Sequence, residues 1–271
     1  MSPLFAYLRA VLWSFLGIRR RSSATTEQQQ LKPLPLIATA VALAAVLVGL
    51  LLLTARHASA TPLQVPDTIA QRALACTGCH GAQGRSTPLG YIPRIAGKPA
   101  GYLTAQLKAF RDGQRQHEGM ARLLVHLDDD YLAELAGYFA GLQVAYPAPA
   151  PASATDAALL LGARLARQGD ATRRVPACAQ CHGAGLTGVQ PAIPGLLGLP
   201  RDYLVAQLGA WRTQVRRARA PDCMAHLAQR LQPGDITAVA DWLAAQPVPP
   251  QPEPAPPAAT ALPMPCGSTQ P

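Results

Sequence analysis

Two cysteine pairs, each with a histidine beside it, carry the clearest chemistry in the chain. Cys76-Thr77-Gly78-Cys79-His80-Gly81 returns 102 residues later as Cys178-Ala179-Gln180-Cys181-His182-Gly183. Residues three apart on a helix share a face. Two thiols at this spacing can therefore reach both vinyl groups of one porphyrin, and the adjoining histidine can present a ring nitrogen to its iron. Cys76 and Cys79, and again Cys178 and Cys181, are expected to attach two haems c as thioethers, with His80 and His182 as proximal ligands. A redox dithiol or half of a zinc site uses the same cysteine spacing. The first wants a strand ahead of its helix and the second wants more ligands; the sequence offers neither.

A sixth ligand is expected about 40 residues downstream of each pair. Met120 lies 44 residues after Cys76, and Met224 lies 46 after Cys178. A thioether is a soft ligand that favours reduced iron and raises the potential. His117, His126 and His226 are competitors nearby, but only the methionines occupy matched positions in the two copies.

The elements that must hold these residues are themselves repeated. Ile92-Pro93 pairs with Ile193-Pro194, Gly97 with Gly198, Tyr102-Leu103 with Tyr203-Leu204, Ala105-Gln106-Leu107 with Ala206-Gln207-Leu208, and Phe110-Arg111 with Trp211-Arg212. Tyr102, Gln106, Leu107 and Phe110 fall at helical spacing, as do Leu132, Leu135, Tyr138 and Phe139. The second copy repeats both patterns with Tyr203, Leu204, Leu208 and Trp211, then Ile236, Val239, Trp242 and Leu243. These apolar and aromatic positions are read as core rather than electron relays. Asp129 or Asp130 is expected to cap the last helix of the first copy, and Pro233 to open its counterpart. Hydrophobic content is 49% but aromatic content only 5%, so much of the apolar character is helix-forming Ala and Leu. The expected class is all-α, with a first domain over residues 61–146, a Pro-rich linker over 147–155, a second domain over 156–246 and a disordered Pro-rich tail over 247–271.

Residues 1–60 form a leader and an apolar segment. Leu36 to Leu53 runs 18 residues without a charge, giving a span over about 36–54 that covers roughly 27 Å. Arg19, Arg20, Arg21 and Lys32 precede it and Arg56 alone follows closely, which puts the N-terminus in the cytoplasm and the repeated part outside. Residues 4–18 are apolar but broken by Arg9, and suit an interfacial helix. Ala58-Ser59-Ala60 has the form that signal peptidase cuts. Two outcomes stay open: a retained single-pass anchor in a bacterial inner membrane with periplasmic haem domains, or a soluble periplasmic protein after cleavage near Ala60. The length of the apolar run favours the anchor.

The formal charge of +9 comes partly from that leader, where six Lys/Arg stand against one Glu. No basic stripe with interleaved aromatics appears, so no nucleic-acid partner is expected. Arg212, Arg216, Arg217 and Arg219 are read either as a patch steering an acidic partner or as an ordinary solvated loop. Cys223 and Cys266 remain after haem attachment, and an even remainder in an oxidising compartment is compatible with a disulfide or with two free thiols.

Residues 67–246 resemble the dihaem cytochrome c4 family in the paired C-x-x-C-H-G motifs, the Pro and Gly before the Tyr-x-x-x-Gln-Leu helix, and the distal Met followed by Ala. The resemblance implies two class I cytochrome c folds in tandem, His/Met ligation of each iron, and electron transfer from a quinol-oxidising complex or dehydrogenase to a terminal oxidase or reductase. The long apolar segment and the proline tail depart from soluble members and point to a tethered shuttle or a complex subunit. A six-coordinate haem offers no open substrate site, so an electron carrier with redox protein partners is expected rather than an enzyme. A dihaem peroxidase or a ligand-switching sensor would need one open or replaceable position, against which the paired methionines weigh.

Overall fold

The computed structural model describes residues 5–8, 11–12, 32–57, 65–87, 90–149, 151, 154–257 and 261–269. The chain divides into two compact units, residues 1–65 and 66–271. In the first, α1 (Pro33–His57) is a single helix of 25 residues. Pro33 and Pro35 fall in its first turn, where a missing N–H leaves no hydrogen bond unmade. At about 1.5 Å per residue it reaches about 38 Å, enough to cross a bilayer core. None of its residues is buried, and an apolar helix exposed all round is suited to lipid. The arginine triplet, the Ala58-Ser59-Ala60 pattern and most of residues 4–18 lie outside the described residues.

The second unit runs through the same helical sequence twice. The first pass contains α2 (Ile69–Arg72), α3 (Leu74–His80), α4 (Ala100–Arg111), α5 (Glu118–Leu124) and α6 (Asp129–Ala140). The second contains α7 (Asp156–Arg167), α8 (Cys178–His182), α9 (Arg201–Arg212), α10 (Cys223–Arg230) and α11 (Pro233–Ala245). Between α8 and α9, β1 (Gly188–Val189) and β2 (Ile193–Pro194) form a two-residue antiparallel pair in an otherwise helical unit. The class is all-α, as the periodicity predicts.

Each pass builds its own core. Ala73, Leu103, Leu135, Ala136 and Phe139 pack together where α4 lies on α6. Leu165, Leu186, Leu204, Val239 and Leu243 do so where α7 and α9 meet α11. Leu132, Leu165, Leu186 and Leu243 are fully enclosed, each contributing about 1.5–3 kcal/mol by burial. The helix starts follow local chemistry. Pro233 takes the first position of α11, as expected. The cap of α6 is Asp128, accepting from the Tyr131 N–H at 2.8 Å, one or two residues ahead of the aspartates expected there.

The tail departs from the disorder expected of it. Ala255 joins the β1–β2 pair, donating to the Gly188 carbonyl at 2.9 Å and accepting from the Gln190 N–H at 2.8 Å. Further on, Cys266 forms a disulfide with Cys223, and the Gly267 N–H donates to the Pro221 carbonyl at 2.9 Å. A chain poor in large apolar side chains is ordered here by its backbone groups, which any exposed strand edge can pair, and by one covalent link.

Candidate functional site

The cysteine pairs sit where the motif requires. Cys76, Cys79 and His80 occupy α3, and Cys178, Cys181 and His182 make up α8 together with two intervening residues. Both helices stop at the following glycine, Gly81 at φ 75° and Gly183 at φ 83°, a conformation costly for any residue with a Cβ. A Cβ on Gly81 would also collide with the Ser86 carbonyl. The sharp exit turns the chain back so that a later proline reaches the histidine. His80 Nδ1 lies 2.8 Å from the Pro93 carbonyl, and His182 Nδ1 lies 2.7 Å from the Pro194 carbonyl. A carbonyl can only accept, so Nδ1 carries the proton in both rings and Nε2 is left as the free lone pair.

Electrostatics keep both rings neutral. Burial holds His80 below the usual imidazole range, opposed by the Pro93 carbonyl and assisted by the charges of Arg115 and His117. Burial does the same for His182, with Lys98 adding to it. A neutral imidazole with its remote N–H anchored on a carbonyl is the form that binds iron. No disulfide joins Cys76, Cys79, Cys178 or Cys181, so all four sulfurs are open to thioether formation. Burial pushes Cys178 up to about 11 and raises Cys76 and Cys181, the opposite of what a nucleophilic dithiol needs.

The methionines lie in matching places. Met120 is in the first turn of α5, beside the Phe110, Leu124 and Leu132 cluster. Met224 is in the first turn of α10, against Val175, Leu227, Leu231 and Ile236. Val175 lies three residues before Cys178, so the cluster that holds Met224 includes the segment leading into the second attachment helix. His117 caps α5 by accepting from the Met120 N–H at 3.3 Å, and packs edge-on to Phe110. His226 faces a cleft of about 600 Å³ shared with Gln180 of α8 and with Met264 and Pro265 of the tail.

Two buried polar atoms, Thr87 Oγ1 in the first pass and Trp211 Nε1 in the second, have no hydrogen-bond partner among the described residues. Orphaned buried donors await a ligand, and the carboxylate arms of a haem are suitable acceptors. With the two neutral imidazoles and the unpaired thiols, these atoms fit a haem in each pass. When bound, haem supplies a one-electron iron couple; the protein orients it, excludes water and sets its potential.

Sequence reading missed a polar network between the passes. Arg115 donates to Gln106 Oε1 at 3.0 Å, to the Tyr203 hydroxyl at 2.8 Å and to Gln207 Oε1 at 2.8 Å. Arg216 donates to Gln207 Oε1 at 2.8 Å and to Gln106 Oε1 at 2.5 Å. The Tyr102 and Tyr203 hydroxyls lie close enough to influence each other electrostatically. Arg115 stacks on Phe110 and Arg216 on Trp211. The exposed steering role read for Arg216 is therefore corrected: it is 3% exposed. Arg212, which donates to the Leu231 carbonyl at 3.1 Å, is exposed, as are Arg217 and Arg219. The spacing from Arg111 to Arg115 repeats from Arg212 to Arg216, and that was the available signal.

A helical unit used twice, each time with a C-x-x-C-H helix, a carbonyl-anchored neutral histidine and a methionine in the first turn of a later short helix, defines a c-type cytochrome. Comparison with known proteins gives the particular family. The chain is 40% identical to a thiosulfate dehydrogenase electron acceptor of Thiomonas intermedia over 66% of its own length and 81% of that protein. It is 32% identical to a cytochrome c4 of Pseudomonas aeruginosa over 64% of its length and 84% of that protein. The crystal structure of reduced recombinant cytochrome c4 from Pseudomonas stutzeri matches with a TM-score of 0.58 at 27% identity, covering 65% of this chain and 96% of that one. The thiosulfate dehydrogenase TsdBA of Marichromatium purpuratum matches with a TM-score of 0.57 at 37% identity over 64% of this chain, which spans only 36% of that longer one. A family model described as a protein of unknown function (DUF2970) covers residues 4–58. The chain belongs to the dihaem cytochrome c4 family: it carries haem c and transfers electrons.

Proposed function

We propose that the protein takes electrons from a thiosulfate dehydrogenase on the periplasmic side of a bacterial inner membrane and passes them to a terminal oxidase or reductase. The observation that carries the choice of donor is the 40% identity, over 81% of its length, to a protein named as the electron acceptor of that enzyme. The 37% match to TsdBA supports it. Two haems c are held, one through Cys76 and Cys79 with His80 and Met120 as axial ligands, the other through Cys178 and Cys181 with His182 and Met224. Haem held there would supply a one-electron iron couple. Residues 61–146 and 156–246 serve as the two haem domains, joined by the linker at 147–155.

α1 is retained as the anchor. The match of residues 4–58 to one family model supports this, because it treats the leader and the apolar helix together as one unit. Intact-mass measurement on the native protein tests anchor and cofactor count at once. Two added haems and an uncleaved leader are expected; a mature N-terminus at Thr61 overturns the anchor. For the donor, the purified protein is mixed with a thiosulfate dehydrogenase and thiosulfate, and haem absorbance is followed. Full reduction that needs both components is expected. An oxidised protein beside an active dehydrogenase overturns the reading.

A further inference from the structure

The two passes meet unequally at the loop that holds the second histidine. In the first pass the residue after the acceptor Pro93 is Arg94, buried, with its guanidinium donating to the Ala96 and Ala145 carbonyls at 3.1 Å and to that of Val144. In the second pass the matching position is Gly195, which has no side chain to offer. Its carbonyl accepts instead a 2.7 Å hydrogen bond from Lys98 Nζ, which comes from the first pass. The start of α4, just after Lys98, presses on the same loop: a Cβ on Gly101 would lie 2.9 Å from the Pro191 carbonyl oxygen.

Lys98 is not part of the repeated pattern. Its counterpart is Leu199, which belongs to the apolar core of the second pass. Lys98 itself is 4% exposed, a rare state for a lysine. Its Nζ bonds the residue next to Pro194, the acceptor of His182 Nδ1–H; burial lowers its pKa to about 7, so on the acid side of that value it is a buried ammonium. A positive charge in a dry interior acts strongly over such distances. It disfavours Fe(III) against Fe(II), and so raises the potential of the iron that His182 would hold.

We infer that Lys98 is a positioning residue for the second haem: held on the Gly195 carbonyl from the first pass, its charge raises the second haem's reduction potential and draws shared electrons toward that haem. This rests on the proposed role of His182 as proximal ligand. Deleting the charge loses the electrostatic bias, while the Pro194 bond to His182 remains in place.

The test is a potentiometric titration of the full-length holoprotein and of K98M, K98Q and K98R, on the acid side of neutrality. The second haem's step is identified as the one altered in M224A. In K98M and K98Q, the equilibrium constant for electron sharing between the haems should shift roughly tenfold toward the first, a fall of about 59 mV for one electron. The first haem's step should stay where it is. K98R, which keeps the charge, should hold both steps near the native values, and K98Q guards against a K98M variant that fails to fold. An unchanged second step in K98M and K98Q, equal movement of both steps, or the same fall in K98R as in K98Q overturns the inference. Haem content separates this from failure of the underlying assignment: fewer than two haems per native chain would count against the assignment and not against Lys98.

Discussion

Met120 and Met224 are thioethers placed in the first turn of a short helix, one in each pass, and each is only partly buried by protein. Their remaining surface is what an axial contact would cover. Met120→Ala or Met224→Ala should remove a soft ligand at a packing cost of about 2 kcal/mol or less, since the side chains are not fully enclosed. The altered haem should turn from low to high spin, fall in potential and bind carbon monoxide, while the other haem does none of these. An absorption spectrum with and without carbon monoxide checks it, and unaltered spectra would exclude the assignment. Asp170 carries a different prediction. It accepts from Thr172 Oγ1 at 2.6 Å and from Arg173 Nε at 2.8 Å, and these contacts hold its carboxyl below the usual carboxylate range. A depressed carboxylate pKa gives stability that is complete above the unfolded value near 4 and is lost as pH falls through the folded value. The Asp170–Val175 turn leads into the second attachment helix. Thermal midpoints should therefore drop on acidification less in Asp170→Asn than in the native protein, and parallel curves would count against it.

α10 is a short helix with three restraints at its start: the Asp222 cap on the Ala225 N–H at 3.0 Å, the Cys223–Cys266 disulfide, and the Gly267 bond to Pro221. The disulfide closes a loop with a sequence separation of 43, for which chain entropy alone gives about 4 kcal/mol. Cys266→Ser should lower the unfolding midpoint and loosen the Met224 helix without touching α5. Hydrogen exchange that rises over residues 222–231 and not over 117–125 is the expected outcome, and equal protection in both would oppose it. The attachment helices and the Pro233 start were legible in the sequence, because each is set by local spacing or backbone preference; the glycine exits and the short helices that carry Met120 and Met224 were not read there. The disulfide was only one of two readings, since an even count of cysteines carries no geometry. The ordered tail was not legible at all: Ala255 docks through its N–H and C=O, which every residue possesses, so no residue type announces it. Arg216 looked like a solvated charge for a related reason, since its partners Gln106 and Gln207 lie far away in sequence or on the preceding helix.

Across the whole of residues 66–271, the repeat does more than duplicate the proposed haem site. Tyr102, Gln106 and Arg115 meet their counterparts Tyr203, Gln207 and Arg216, so the matched polar residues of two helices become each other's partners. Each arginine lies on an aromatic ring of its own pass and reaches glutamines of both. Such a network favours one relative placement of the passes, because a slip would leave two buried guanidinium groups and two amides unpaired, each unsatisfied group costing about 1–3 kcal/mol. Fixed placement is what a relay needs, since the distance between haems then does not fluctuate with the linker. Arg115→Met together with Arg216→Met should therefore remove the coupling while leaving each core of leucines intact. The native unit is expected to unfold in denaturant as one transition, and the double variant as two, with both haems still low-spin before the first. Electron sharing between the haems should slow in the same variant. A single transition at the native midpoint would place the coupling elsewhere, in the Lys98 contact and the Tyr146 ring that packs against both Arg94 and Gly198.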